Sequence, residues 1–193
     1  MKVVDSSIIS NCIDRDERAI YTLYQHTYSM MKGVALRYVF DRSNCDDVIN
    51  VGFLKIVNGL DKYDNTKEFM PWAKTVMIRV ALDYVRKTMR SNQRVTDYSD
   101  DLSQLNGISA SYNTADLRFD ADELLDMLHQ LPDRTRVVFS LFAIDGYSHK
   151  EISQRLEMSE GTSKWHVSKA RESLQETINQ RNCKNRGNYE PSH

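Results

Sequence analysis

The fold is decided by residues 145–170, which run DGYSHKEISQRLEMSEGTSKWHVSKA. Ser148 and Glu151 have the spacing of a capping box, in which the serine oxygen and the glutamate carboxylate each accept a backbone N–H at the start of a helix. After a short turn, Ser159 is placed to cap a second and longer helix. This order of a short helix, a tight turn and a longer helix predicts a helix-turn-helix.

The second of these helices offers many polar groups to a ligand. Apolar residues at Val167, Ala170 and Leu174 mark its inward side. Its exposed or partly exposed faces carry Lys164, Trp165, His166, Ser168, Lys169 and Arg171. Such side chains can contact phosphates and base edges, as in a DNA-binding helix. A three-helix bundle with a charged outer surface is the alternative, and spacing alone leaves both open.

The rest of the chain also favours an all-α fold. There are only three prolines, and apolar residues recur at three- and four-residue spacings without a convincing strand. The pattern over residues 20–39 predicts one or two helices before a break at residues 41–44, and another helix begins near Asp46. A long helix is predicted from about residue 68 to residue 89, with Pro71 in its first turn.

Two small helical domains follow from this pattern, because residues 91–120 are rich in Ser, Asn, Asp, Gly and Gln and lose the helical periodicity. The predicted organisation is a first domain over residues 1–92, a flexible linker over 93–120, a helix-turn-helix domain over 121–182 and a tail over 183–193.

Composition narrows the class of protein. In 193 residues, 40% are hydrophobic and 27% charged, which is typical of a soluble globular protein. No apolar run approaches the roughly 18 residues of a membrane span, and the N-terminus lacks a signal peptide, so we expect a cytoplasmic protein without membrane insertion. Three scattered cysteines and five histidines without ligand spacing predict no disulfide, metal or cofactor. Without a P-loop or nucleophile elbow, an enzyme is not expected.

The distribution of charge is more informative than its sum. The net charge is −1. Residues 1–90 nevertheless contain 14 basic and 11 acidic residues, and residues 160–186 contain six basic and three acidic, so each segment has a net charge of +3. A surplus of this size is a weak indication of nucleic-acid binding, since solvated helix faces also carry it.

The two predicted domains resemble the two conserved regions of one protein family. The C-terminal motifs are Leu131-Pro132-Asp133-Arg134, Phe139, Gly146 to Ile152, Leu156, Ser159 to Lys164 and Ala170-Arg171. They resemble region four of RNA polymerase sigma factors, which binds the minus-thirty-five promoter element. The N-terminal motifs are Leu23-Tyr24, Ala35, Tyr38, Cys45 to Ile49, Phe53-Leu54, Phe69, Trp72, Ala81 to Tyr84 and Arg86-Lys87. They resemble sigma region two. Because no region three separates them, the chain resembles the compact extracytoplasmic-function (ECF) group.

The resemblance implies partners and residue roles. The partners would be core RNA polymerase, through its beta prime clamp helices and beta flap, and promoter DNA; whether an anti-sigma factor binds is left open. The residues that bind polymerase would be Asp46, Asp47 and Asn50. The residues that contact DNA near the minus-ten element would be Trp72, Lys74, Arg79, Arg86 and Lys87. The residues that contact the minus-thirty-five element would be Lys164, His166, Lys169 and Arg171.

Three positions depart from the family pattern that implies these roles. Asn50 replaces the glutamine usual in the family, Val51 replaces an acidic residue and Arg79 replaces an asparagine. Phe69 has the spacing of a core residue, whereas Trp72 is equally compatible with a core or a DNA-facing position. The rival functions are a helix-turn-helix repressor or activator that never binds polymerase, which binding to core enzyme would distinguish, and an all-helical enzyme.

Overall fold

The computed structural model of the chain describes residues 4–93 and 121–187. The predicted all-α fold is confirmed, and the described residues contain no strand. The helices are α1 (Ser6–Ile13), α2 (Glu17–Tyr38), α3 (Cys45–Asn58), α4 (Phe69–Gln93), α5 (Ala121–His129), α6 (Asp133–Phe139), α7 (His149–Leu156) and α8 (Glu160–Gly187). The predicted linker, apart from its first residue, lies outside the described residues. Helix α8 continues into the predicted tail, whose last six residues also lie outside them.

The chain divides into two compact units between residues 96 and 97. Helices α1–α4 form the N-terminal unit and helices α5–α8 form the C-terminal unit. Both of the predicted helical domains are therefore present, while the domain limits at residues 92, 121 and 182 stay predictions.

The core of the N-terminal unit lies among α2, α3 and α4. Its fully buried large side chains include Leu23, Met31 and Tyr38 from α2, Ile49 and Ile56 from α3, and Met77 and Leu82 from α4. Burying each of these apolar side chains favours folding by roughly 1.5–3 kcal/mol before the entropy cost is counted. The one or two helices predicted over residues 20–39 are a single helix, α2.

A glycine sets the approach of α3 to α4. A Cβ atom added at Gly52 would lie 2.3 Å from the sulfur of Met77, which is itself fully buried. A side chain at position 52 would therefore force the buried Met77 side chain to move.

Helix α1 was absent from the sequence-based prediction. Asp5 caps it by accepting from the backbone N–H of Ser7, and Cys12 is buried. In the turn after α1, Arg15 adopts a left-handed conformation with φ of 63°. Both terminal nitrogens of Arg15 donate to the side-chain oxygen of Asn58 at 3.2 Å, which ties this turn to the end of α3.

The C-terminal unit confirms the predicted helix-turn-helix of α7 and α8. The Ser148 oxygen accepts from the backbone N–H of Glu151 at 3.3 Å, and the Glu151 carboxylate accepts from the backbone N–H of Ser148 at 2.9 Å. Ser159 caps α8 by accepting from the backbone N–H of Thr162 at 2.9 Å. In the turn between the helices, Glu157 is left-handed, with φ of 54°.

The segment before α7 is not a regular α-helix throughout. Helix α6 passes at Ser140–Ile144 into a single π-helical turn. The chain then reverses at Gly146, whose φ of 76° suits glycine. On the buried side of α8, Ala170 forms a hydrophobic cluster with Leu128 of α5 and with Leu131.

Candidate functional site

The predicted polymerase-binding residues share the solvent side of α3. Asp46, Asp47 and Asn50 are all exposed. Because a helix repeats about every 3.6 residues, Asp47 and Asn50 lie on one stripe and Asp46 lies at its edge. The two aspartates are in the first turn, where negative charge complements the helix macrodipole.

The same stripe has an apolar centre that sequence reasoning missed. Val51 is 46% exposed and Leu54 is 60% exposed, and they follow Asp47 at the i+4 and i+7 positions. We call Asp46, Asp47, Asn50, Val51 and Leu54 the α3 face. An apolar centre with a polar border is the usual composition of a protein-binding surface. The sequence shows two apolar residues here, but only the packing of α2 and α4 shows which apolar positions of α3 stay exposed.

A second surface lies along α4. Trp72, Arg79 and Arg86 recur on one side of this helix at every second turn, Lys87 lies beside Arg86, and Arg90 continues the same side. We call these five residues the α4 face. Arg79, Lys87 and Arg90 are exposed, whereas Trp72 and Arg86 are half-buried. The α4 face is therefore strongly cationic.

Lys74 does not belong to the α4 face. It is half-buried and lies nearly opposite Trp72 around the helix, two residues later. The residues one turn further along its side, Met77 and Ile78, are buried in the core. Helical geometry therefore places Lys74 on a different side of α4 from the other predicted minus-ten residues, and its role in DNA binding stays a prediction.

An acidic residue interrupts the α4 face. The Asp83 carboxylate lies 3.2 Å from Arg86 and 3.5 Å from Lys55 of α3. Both pairs are solvent-exposed, so each contributes little to stability. Their effect is to direct the Arg86 guanidinium along the helix surface.

Trp72 belongs to an aromatic cluster at the start of α4. Its ring centroid lies 4.9 Å from that of Tyr63 and 5.6 Å from that of Phe69, and it packs beside Gly59. Phe69 is buried, which confirms its predicted core position. Trp72 is only half-buried, so one part packs in the cluster while another part reaches solvent. Burial raises the pKa of Tyr63, followed in effect by the nearby carboxylates of Asp64 and Glu68.

A third surface lies on α8. Lys164, Trp165, Ser168 and Lys169 are exposed on adjacent turns, and we call them the α8 face. Lys169 donates to the Glu172 carboxylate at 2.7 Å, a hydrogen bond that raises the pKa of Lys169. The lysines and the indole thus project from the same part of the helix.

His166 is not exposed, contrary to its predicted place among the DNA-binding residues. It is 5% exposed, and its Nδ1 lies 3.0 Å from the hydroxyl of Thr135 in α6, in a buried hydrogen bond. Its neighbours on the inward side of α8 are Ser163, Val167 and Ala170, all buried. His166 is therefore part of the packing between α6 and α8.

Arg171 lies at the border of the α8 face. It is exposed, and its guanidinium carbon is 5.7 Å from the ring centroid of Phe142. His149 stacks on Phe142 with a centroid separation of 4.4 Å, and its Nδ1 lies 3.0 Å from the Ser163 hydroxyl. Burial lowers the pKa of His149, and the charge of Lys164 lowers it further.

Neither a metal centre nor a membrane-spanning helix is found in the part of the chain that the structure describes. Within residues 4–93 and 121–187, no three side chains of His, Cys, Asp or Glu are grouped to hold a metal ion. In the same ranges, none of the helices has the length and hydropathy needed to cross a bilayer.

Two family models match the chain, one in each unit. Residues 23–91 match Sigma-70 region 2, and residues 121–174 match Sigma-70, region 4. The α3 and α4 faces lie within the first match and the α8 face lies within the second.

Three relatives that align along most of this chain are RNA polymerase sigma factors. The ECF RNA polymerase sigma factor SigK of Mycobacterium tuberculosis is 27% identical over 181 residues, which are 92% of this chain and 91% of SigK. The ECF RNA polymerase sigma-E factor of Haemophilus influenzae is 19% identical, over 92% of this chain and 96% of its own. The RNA polymerase sigma factor CarQ of Myxococcus xanthus is 24% identical, over 86% and 92%.

Two solved structures are also similar. One is CnrH in complex with the cytosolic domain of CnrY, with a TM-score of 0.46, 18% identity and coverage of 92% of this chain and 98% of that chain. The other is the sigma factor RpoE with the anti-sigma factor NepR from Bartonella quintana, with a TM-score of 0.49, 17% identity and coverage of 82% and 97%.

The order of the two matched regions, together with relatives aligned along nearly the whole chain, supports one identification. The chain belongs to the sigma-70 family, as an alternative sigma factor of the ECF type that binds core RNA polymerase and directs promoter recognition and transcription initiation.

Proposed function

We propose that the α3 face binds the beta prime clamp helices of core polymerase, that the α4 face contacts DNA near the minus-ten element, and that α8 is the recognition helix for the minus-thirty-five element. The observation that carries the first assignment is the exposed apolar pair Val51 and Leu54 bordered by Asp47 and Asn50. Apolar groups of this size on a solvent face favour a protein partner, since covering them removes apolar area from water.

Charge supports the two DNA assignments. The α4 face carries Arg79, Arg86, Lys87 and Arg90 against Asp83, and the α8 face carries Lys164 and Lys169 against Glu172. Cations arranged along a helix can neutralise phosphates and release their counterions, which is the sequence-independent part of DNA affinity. The aromatic cluster at Trp72 supplies an apolar surface beside the α4 face, as strand opening requires.

The proposal assigns no chemical step to this chain. Polymerase forms the phosphodiester bonds, while this chain supplies binding free energy for promoter choice and opening. We accordingly propose a non-catalytic protein that acts in the cytoplasm, where core enzyme and the chromosome of a bacterium are found.

Charge reversal at Asp47 tests the first assignment. Asp47→Lys should weaken binding to core polymerase, because it removes a carboxylate from the border of the α3 face and places a cation there. Affinity is measured by titrating labelled full-length chain with core enzyme. The matched control is Asp122→Lys, the same exchange at an exposed first-turn position of α5. Equal affinities for Asp47→Lys and Asp122→Lys would contradict the assignment.

Salt dependence tests the DNA assignments. Replacing Lys164 or Lys169 with alanine should weaken holoenzyme binding to all promoters. It should also lower the slope of log affinity against log salt by about one unit for each phosphate that is no longer neutralised. An unchanged slope for both variants would remove α8 from the DNA interface.

A further inference from the structure

Trp165 is the feature of α8 that charge does not explain. Its side chain is 41% exposed, while the apolar residues next on the helix, Val167 and Ala170, are buried. The indole is one of the largest apolar groups a protein has, and leaving it in water forgoes the burial free energy that a core position would give. An exposed indole beside the lysines of α8 therefore indicates that the partner presents an apolar group to this face.

The small residues around Trp165 leave its indole accessible to solvent. One turn before it stands Gly161, where even a Cβ atom would meet only the Ser159 hydroxyl, at 3.5 Å. One turn after it stands Ser168, which is small and exposed. Lys164 and Lys169 flank this row. The indole is therefore accessible to a partner on the α8 face, with a cation on either side.

The indole is also held in a defined orientation. Its ring packs against the imidazole of His166 at a centroid distance of 4.9 Å and an interplanar angle of 73°. That imidazole is itself fixed by the buried hydrogen bond to Thr135. A rigid aromatic group loses little conformational entropy when it contacts a partner. The buried histidine thus acts as a positioning residue for an exposed tryptophan.

The chemistry of the DNA major groove indicates what such a group would contact. An uncharged indole is a poor partner for phosphate. Among the base edges in this groove, only thymine presents an apolar group, its 5-methyl. The indole N–H can only donate, and thymine O4, guanine O6 and N7 and adenine N7 all accept, so the 5-methyl group is what distinguishes thymine for this side chain.

We propose that Trp165 is a specificity-determining residue that packs against the 5-methyl group of a thymine in the upstream promoter element. The inference rests on the proposed role of α8 as the recognition helix. It adds a sequence preference to an interface whose lysines would otherwise supply only affinity for the backbone.

The test begins by selecting promoters from a pool with a randomised upstream element, using holoenzyme assembled from core polymerase and the full chain. Wild type should enrich thymine at one position, on either strand. Trp165→Ala should lose that preference and keep the others, and Trp165→Phe should keep part of it. Lys169→Ala is the control, which should weaken all sequences while the thymine preference persists.

The decisive measurement removes the methyl group alone. Deoxyuridine in place of the selected thymine should weaken wild-type binding about fourfold, the factor expected for one methyl-sized apolar group. Trp165→Ala should bind both promoters equally. If deoxyuridine has no effect on wild type, or an equal effect on both proteins, the inference is overturned. If Trp165→Ala does not fold, the same comparison between wild type and Trp165→Phe decides, because phenylalanine should show a smaller effect.

Failure of the underlying proposal gives a different result. If α8 is not the recognition helix, the lysine variants bind as wild type does, and neither they nor Trp165→Ala change the upstream sequence that is selected. If only the Trp165 inference is wrong, upstream selection and the lysine effects remain while the thymine preference is absent or is unchanged in Trp165→Ala.

Discussion

The α3 face and the α8 face are built alike and differ in charge. Each is the solvent side of one helix with exposed apolar groups at its centre, Val51 and Leu54 on α3 and Trp165 on α8. The border of the α3 face is acidic, through Asp46 and Asp47, while Lys164 and Lys169 make the α8 face basic. In the proposed assignment, the sign of the border therefore distinguishes the polymerase-binding face from the DNA-binding face.

This difference also explains why the net charge of −1 says little about partners. The charges that matter are sorted onto helix faces, and their sum over the whole chain cancels. Both faces would look like ordinary solvated surfaces without the exposed apolar groups at their centres. Substituting the apolar residues at these centres, and then the residues beside them, tests whether the two faces bind different partners.

The largest effect is expected at the centre of the α3 face. Leu54→Asp should weaken core-polymerase binding roughly a hundredfold, because a new carboxylate would lose its water where an apolar anchor is needed. Leu124→Asp in α5 is the matched control, since Leu124 is also exposed, at 38%. Titration of core enzyme with both variants checks this, and a Leu54→Asp affinity close to that of Leu124→Asp would mean that the α3 face binds something else.

The next effect concerns the buried side of α8. His166→Ala should destabilise the C-terminal unit by about 2 kcal/mol, because it leaves the Thr135 hydroxyl without its buried partner and opens a cavity. Faster hydrogen exchange of the α6 and α8 amides would report it. The salt dependence of DNA binding should not change. Lys169→Ala should show the reverse pattern, and a reduced salt slope with normal exchange in His166→Ala would restore His166 to the DNA interface.

His166 shows what sequence reasoning could and could not provide. The capping residues Ser148 and Ser159 were predicted correctly because a cap is a local arrangement, set by residues three apart. The side of α8 that faces the core is set by the packing of α6. A signal was available, since residues 163, 166, 167, 170 and 174 have the spacing of one inward stripe. It was missed because Ser163 and His166 are polar.

The N-terminal unit shows the same limit of sequence reasoning for exposed apolar residues, whereas His166 shows it for a buried polar residue. Asp47 and Asn50 were expected to be accessible to a partner because the resemblance to sigma region two assigns them to polymerase binding, and they are exposed. Leu54 was overlooked because an apolar residue on such a helix is usually inward. Exposure that contradicts residue type is visible only once the neighbouring helices are in place, and that is how Leu54 and Trp165 became candidate site residues.

A smaller effect is expected on the α4 face at Arg79. Guanidinium only donates hydrogen bonds, whereas an asparagine amide both donates and accepts, as adenine requires. Arg79→Asn should therefore shift the preferred minus-ten sequence toward adenine at one position, by about fivefold. Selection from promoters randomised in this element checks it. Identical preferred sequences and equal open-complex yields for both proteins would leave exposed Arg79 without a role in recognition.

The smallest effect is a pH dependence confined to the C-terminal unit. His149 is packed on Phe142, bonded to Ser163 and close to the cations Lys164 and Arg171, with Glu160 as the opposing anion. Burial and then the charge of Lys164 lower the pKa of His149 from its ordinary 6.5. The folded state thus binds this proton less readily than the unfolded state does, and the neutral ring stabilises the fold.

The sign of the effect follows from that lowered pKa. The stabilisation is complete above pH 6.5, the ordinary pKa of histidine, and is lost as the pH falls through the lower folded-state pKa. Wild type should therefore lose stability relative to His149→Gln between about pH 7 and pH 5, because glutamine does not titrate there. Hydrogen exchange of α7 and α8 amides measures the difference, and His26→Gln in the N-terminal unit is the control. A gap between wild type and His149→Gln that stays constant with pH, or widens in favour of wild type on acidification, would show that burial and the nearby cations do not lower the pKa of His149 in the folded state.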